Sequence, residues 1–503
     1  MAAMPRTSIP AFSRIAAGLL CGLLLLAAQL VGAGRAAAGE DGVDAKVVQA
    51  VSRLTYGPTP GLLKQVAAMG VPAFIDSQLD FEKIDESPDL AKALDSLPSA
   101  SMDTVRLFRE YGPGTASGEK PGPEAMRRTF DRAGVVALEA AEDRLLRAIL
   151  SRRQLYELMV AFWSEHFSLG PKKGLAHLWV GSFEREAIRP HAMGKFLDLL
   201  MATATHPAML IARDNWKNVV HRENGQPIKE AVDPTYAAML LAHQTLGAAG
   251  PQKPEDTEAL ARILTGWRVG AARDSSDSSG FHFDPELHDP SDKTLLGHPI
   301  KGTGLSEGAA ALRILATHPA TAKNICHKLA VYFLADEPPA ALVARMAETF
   351  ARTDGDIREV LRTLFTGPEF FDPKYSGGRI KSPLRQVVSA ARAVGANPTD
   401  ASSLAGVLAS LGQPLYEADG PEGYPVTTGH WNKSDGLMRR VSFAGDLVAG
   451  RIPGLGLAPA ALKTAELAET LGPTAADNVR QAAAKAGPLG PAVLLAAPDF
   501  MRY

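Results

Sequence analysis

Four groups of residues in this chain have the types and spacing that chemistry needs. The first lies in FHFDPELHDPSDKTLLG, residues 281–297. His282, His288 and Asp289, with Asp284 between them, offer imidazole and carboxylate donors to zinc or a similar divalent metal. A turn can use the same residues without a metal, with Asp284 and Asp289 bonded to backbone amides. The second group is Glu165-His166. His166 follows Phe162 by four residues on an apolar helix face, where a histidine is ordinarily a core residue bonded to a carbonyl or carboxylate. Glu165 lies beside that stripe and reads as a buried acid with a raised pKa, the form a general acid–base group takes.

The third group is FEREAIRPHAMGKF, which puts Glu184, Arg185, Glu186, Arg189 and His191 within eight positions. Its plain reading is a charge network tying helices together. Its functional version is a polar pocket lined by Arg189 and Asp214. Arg189 precedes Pro190, which biases it away from helix and suits it to satisfy helix-end carbonyls. The fourth is a long loop flanked by Gly412-Gln413-Pro414 and Gly423-Tyr424-Pro425, with Trp431 beyond. It either covers a cleft and stacks on a sugar or aromatic ligand, or packs on the helices as a structured crossover, which is the favoured reading. The catalytic candidates are therefore Glu165, His166, Arg189, His191 and Asp214. The metal candidates are His282, His288 and Asp289.

No HExxH, CxxC, GxSxG elbow, phosphate loop or dinucleotide fingerprint accompanies them. Those absences weigh against common hydrolase, kinase and dehydrogenase chemistry. The 503 residues carry a formal charge of −2 and no concentrated basic face, which argues against a nucleic-acid partner.

The elements that must position these groups read as helices. Leu155, Leu158, Met159, Phe162, Trp163, His166 and Phe167 share one helical face. Ala133 to Leu150 is helical, and so is Val43 to Leu79 with a break at Tyr56–Pro60, where Thr59 caps a helix holding Pro60 in its first turn. Val71-Pro72 starts a short helix. After Asn215 the chain turns polar and exposed. Pro234 opens a helix ended by Gly247, and Pro254 opens the next. Further helices are expected at Glu307–Thr317, Ala320–Phe333, Pro339–Arg352, Asp356–Thr366, Ser382–Val394, Ala401–Leu411 and Ser434–Val448. Strand is expected only at Phe281–Phe283 and Lys293–Leu296, as one hairpin. Residues 87–122 and 268–280 read as variable surface loops. The class is all-α with one small β-hairpin near 281–297.

At the N-terminus Arg6 and Arg14 precede an apolar run from Ile15 to Val31, and Ala36-Ala37-Ala38 fits a cleavage site. Residues 1–38 are expected to be a cleaved signal peptide, and residues 39–503 a single domain in the periplasm or outside the cell. An uncleaved signal would be the only membrane contact. Cleavage removes Cys21 and leaves Cys326, so no internal disulfide forms and stability rests on the core. Cys326, inside NICHKLAVYF, reads as a small buried hydrophobe.

The chain resembles a bacterial family known as domain of unknown function 1800 over nearly all its mature length. The matching pieces include RLTYGPTP at 53–60, FWSEHF at 162–167, EREAIRPHAMGKFLDLL at 184–200 and HPAMLIARDN at 206–215. ALARILTGW at 259–267, KNICHKLAVYF at 323–333, KSPLR at 381–385, GQPLYEADGPEGYP at 412–425 and PDFMRY at 498–503 continue the series. The resemblance implies one all-α fold, usually exported, with no activity to carry over. It also implies a sulfatase-like companion, since genes of the two families are often neighbours. One stretch departs from the family pattern. DPTYAAMLLAHQTLG, residues 233–247, has Asp233, Pro234 and Thr235 where the family carries Asn-Glu-Asn, and Ala238, Met239 and Ala242 in place of an Arg and two Glu. Losing these together is how a buried ion network would be disbanded, because one charge left alone is costly.

Two functions follow as expectations. One is an exported protein that binds a cell-envelope polymer or a sulfatase-like companion. The other is a metal-assisted hydrolase or oxidoreductase built on His282, His288 and Asp289 with the central helices.

Overall fold

Proline opens helix after helix. It occupies the first turn of Val71–Leu79, Pro88–Leu94, Pro123–Leu150, Pro207–Ala212, Pro254–Ile263, Pro319–Phe333 and Pro383–Ala393. There its missing N–H would have had no helical partner anyway. Side chains finish the caps: Asp44 accepts from Lys46 N, Asp356 from Glu359 N and Ser382 from Arg385 N. The computed structural model describes residues 44–113, 122–170, 174–223, 226–228, 232–270, 279–458 and 462–503. The expected signal peptide lies outside them, as do parts of the loops expected at 87–122 and 268–280.

The fold is mostly helical, as its sequence pattern predicts. The expected helices stand within a few residues of their places. The Thr59-Pro60 start is shifted, because Gly61 at φ 82° is the cap of Leu62–Met69. The 28-residue helix Pro123–Leu150 begins a full ten residues earlier than expected. Three helices after Val448, at Thr464–Leu471, Asp477–Lys485 and Gly490–Ala496, were not foreseen.

Three short antiparallel ladders complete the described structure: β1 (His221–Glu223) with β2 (Gln226–Ile228), β3 (Trp267–Val269) with β4 (Phe281–Phe283), and β5 (Lys293–Leu295) with β6 (His298–Ile300). Both expected strands exist, but they do not pair with each other. Phe283 faces Trp267, and Leu295 faces His298. The tight turn at Leu296-Gly297, with φ of 50° and 81°, closes a hairpin on itself before any longer connection can form.

A continuous apolar core runs from Val47 to Met501. The Gln154–His166 helix is at its centre, with Leu155, Leu158, Met159 and Trp163 all fully buried. Phe162, Trp163, His166, Phe167 and Phe196 pack as an aromatic cluster. Cys326 is buried as expected, and burial pushes its thiol pKa up. Residues 87–113 are not a surface excursion: Leu90, Ala93, Leu97, Met102 and Leu107 join the core.

Candidate functional site

FEREAI, residues 183–188, forms a π turn, and Arg189–His191 continues as a 3-10 turn. Arg189 has φ −55° and ψ −47°, so the bias that a following proline imposes is overridden. The wider π turn gives the Pro190 ring room against the preceding carbonyls. It also aims charged side chains inward. The Arg189 guanidinium meets both oxygens of Glu157 at 3.0 Å, and its Nη2 also reaches Glu184 Oε1 at 2.9 Å. Glu184 Oε2 accepts from Tyr416 Oη at 2.9 Å and lies 3.7 Å from Arg144 Nε. Burial pushes the Glu184 carboxyl up, but Arg189, Arg144 and the Tyr416 hydroxyl outweigh it, and its pKa falls below the ordinary value. Such forked, buried pairs hold geometry strongly. Of the five residues whose spacing suggested a helix-tying network, Glu184 and Arg189 belong to this one, while Arg185 donates to Ala100 O at 2.6 Å and to Glu186 Oε1 at 2.8 Å.

Arg189 and Asp214 do not make a common pocket. Asp214 follows the Pro207–Ala212 helix at φ 57° and pairs with Lys217 at 3.0 Å. His191 is half-buried, and burial lowers its pKa. His166 is a core residue: Nε2 lies 3.1 Å from Gln244 O, and Nδ1 faces Lys328 Nζ at 3.3 Å. That geometry fits a neutral ring donating from Nε2. Burial and then Lys328 hold its pKa well below the usual value. Burial likewise pulls Lys328 down to about 8.

Glu165 is the candidate that keeps free capacity. Its Oε2 accepts from Tyr424 N at 2.9 Å, its only hydrogen bond among the described residues. Burial raises its pKa, and Arg144 with the Tyr424 amide offsets only part of that. The contact comes from the Gly/Pro/Tyr loop, which packs on the helices rather than standing off them. Tyr424 Oη donates to Pro414 O at 2.8 Å and Trp431 Nε1 to Pro425 O at 2.7 Å. Tyr416 lies under Arg144 at 5.4 Å.

The proposed metal ligands are not brought together. His282 is exposed on β4, opposite Arg268. His288 is buried, with Nδ1 2.9 Å from Thr265 O and Nε2 2.9 Å from Glu307 Oε1. Asp289 accepts from Arg262 Nε at 2.6 Å through one oxygen and from Ser291 N at 2.9 Å through the other. Burial pushes Asp289 up, yet the Arg262 and Ser291 bonds bring its pKa down to about 2. Lys293 Nζ reaches Glu307 Oε2 at 2.6 Å. Asp284 accepts from Glu286 N at 3.1 Å. Asp284 and Asp289 thus bond to backbone amides as the turn reading had it. The hairpin is locked by ions and does not present an open donor set.

Sequence reasoning passed over Arg144, Glu157, Glu307, Tyr416 and Asn218. Asn218, within the stretch expected to be exposed, is buried and donates to Ala261 O at 2.8 Å. Sequence reasoning named Glu186 but passed over its partners Thr104 and His206, with Thr104 Oγ1 3.2 Å from His206 Nε2 and 3.0 Å from Glu186 Oε2. His206 is at the same time a helix cap, accepting from Ala208 N at 3.1 Å. In the divergent stretch, Asp233 accepts from Thr235 N at 2.9 Å, just ahead of the short helix Thr235–Met239. Ala238 is exposed there and Met239 buried.

An opening of about 900 Å³ lies away from all of these. Thr59, Gln65, Ser77, Asp89, Arg152 and Asn397 offer donors and acceptors around its wall, over Leu62, Val66, Phe74 and Ile149.

Fold and site together define an all-α protein whose central helices are knit by buried ion pairs and which carries a polar groove lined by Asp89, Arg152 and Arg392 among others. The chain belongs to the family described as "Protein of unknown function (DUF1800)", whose model matches residues 49–502. No curated protein and no solved structure matches it.

Proposed function

We propose that this is an exported binding protein of the cell envelope, working with a sulfatase-like companion and holding a hydroxyl-rich envelope polymer in the groove between Gln65 and Asn397. The groove carries this reading. Its volume of about 900 Å³ suits one or a few sugar units. Its hydroxyl, amide and charged side chains are those that exchange hydrogen bonds with water for hydrogen bonds with sugar hydroxyls. Of the acid–base groups singled out in the sequence, His166 and Arg189 are turned inward and bonded within the core, which supports binding over hydrolysis. Export rests on the N-terminal pattern. Among the described residues no helix is long and apolar enough to cross a membrane.

The test is co-sedimentation of the mature protein with purified envelope polysaccharide, repeated with Gln65→Ala and Asn397→Ala. Both residues are exposed, so both variants are expected to fold. The expected result is saturable binding that each substitution weakens. Absence of binding, or binding by both variants unchanged from wild type, would overturn the reading.

A further inference from the structure

A second, much smaller space lies under the Gly/Pro/Tyr loop. It measures about 40 Å³ and is walled by Arg144, Arg385, Glu165 and the rings of Tyr56, Tyr332 and Tyr503, with Tyr424 as its roof. Arg144 and Glu165 also wall a neighbouring cavity of about 20 Å³ toward Glu184.

Several of those groups are unspent. Arg144 and Arg385 are 3% and 4% exposed, and the Nε of each has no hydrogen-bond partner. Among the described residues the Arg385 guanidinium donates from Nη2 alone, toward the carbonyls of Ser52, Arg53 and Thr55. It stacks 3.8 Å from the Tyr503 ring centre. It forms no ion pair among the described residues, whereas Arg144 has Glu184. Tyr56 is 2% exposed, and its hydroxyl makes no hydrogen bond among the described residues. Buried donors without acceptors are expensive and rare in folded chains. Here two such groups, Arg144 Nε and Arg385 Nε, belong to residues lining one chamber, and Arg385 has no counter-charge among the described residues.

We infer that this chamber is a binding site for a small carboxylate, with Arg385 and Tyr56 as its donors. The Nε–H of Arg385 supplies one charge-assisted bond to a carboxylate oxygen, because its Nη2 is already committed to three carbonyls. A hydroxyl donor such as Tyr56 adds a second bond. The volume limits the occupant to about the size of formate or acetate, since a water's share of liquid is roughly 30 Å³. Glu165 completes the wall. It tolerates a second carboxyl group when it carries a proton, and burial pushes it that way. This inference does not depend on the polymer-binding reading of the outer groove.

The experiment is thermal unfolding of the mature protein with sodium formate, against sodium chloride at equal ionic strength. Carbon-13 formate line broadening is measured in parallel. The expected result is a saturable rise in melting midpoint and a broadened formate line, with neither effect from chloride. Tyr56→Phe removes only a hydroxyl, and it should weaken formate about tenfold while leaving the fold intact. Arg385→Lys should abolish the effect, and Glu165→Gln should keep it. Equal response to chloride would mark an adventitious anion only and overturn the site. So would the absence of any saturable formate effect, or unchanged affinity in Tyr56→Phe.

Discussion

Arg189 grips Glu157 with two parallel bonds of 3.0 Å each, across 32 positions of sequence. The same guanidinium holds Glu184 at 2.9 Å, so one cation joins the Gln154–His166 helix to the π turn at Phe183–Ile188. Removing it would leave two buried carboxylates facing each other. Arg189→Ala should therefore lose about 3–5 kcal/mol of stability. Arg189→Lys should fall in between, because an ammonium cannot form the fork. Urea unfolding midpoints measure both. A loss in Arg189→Ala no larger than that of a surface substitution would show that the network is ornamental.

His288 should behave as a structural residue. Its two nitrogens face Thr265 O and Glu307 Oε1, and Glu307 also takes Lys293. His288→Ala should destabilise the chain by about 1–3 kcal/mol by leaving Glu307 under-bonded. It should leave the metal content of protein purified without chelators unchanged. Elemental analysis of wild type and variant checks this, and one metal per chain lost with His288 would reinstate the metal-assisted enzyme. Asp289 adds an acid limit. Its pKa is depressed from 3.8 to about 2, so its stabilising contribution is full above pH 3.8 and is lost as pH falls through about 2.

How much of this was legible depended on whether the signal was local. Helix periodicity, prolines and caps are local, so Asp356–Thr366 and Ser434–Val448 could be placed from pattern alone. The packed role of His166 followed from its place on an apolar face. The partners of each charge were not legible. Arg189 pairs with Glu157 through the fold, and nothing in the spacing of FEREAIRPH points 32 positions upstream. Tyr416 reaches Glu184 across 232 positions, with an unusual φ of 62° that no side-chain type announces. The strands were found and mispaired for the same reason: alternation marks a strand, and turn geometry chooses its neighbour. The helices at Thr464–Leu471 and Asp477–Lys485 were passed over although their apolar spacing is as regular as that of helices that were placed.

Glu142 sets a stability slope near neutrality. It is nearly buried and accepts from Ala401 N at 2.9 Å. Burial pushes its pKa from 4.5 to about 7, against the help of that amide. The folded chain therefore holds a proton there that the unfolded chain has released. The group's stabilising contribution is full below pH 4.5 and fades as pH rises through about 7. Melting midpoints should fall across that window. Glu142→Gln should remove this part of the slope and melt higher at alkaline pH, by roughly one to a few degrees. Parallel pH profiles for the two proteins would contradict the assignment.

Gly423 fixes the loop to the central helix. Its φ is +72°, and a Cβ there would stand 2.5 Å from Glu165 O and 2.7 Å from Glu165 Oε2. Any side chain must break the Tyr424 N–Glu165 bond or strain the turn. Gly423→Ala should cost about 1–3 kcal/mol and should speed proteolytic cutting within residues 412–425. Gly429→Ala is the control, because a Cβ there meets nothing within 4 Å. It should stay within about 0.5 kcal/mol of wild type. Limited proteolysis with mapped cleavage sites separates the two effects. If Gly423→Ala is cut no faster than Gly429→Ala, the loop is held by Tyr416, Tyr424 and Trp431 alone, and its contact with Glu165 is incidental.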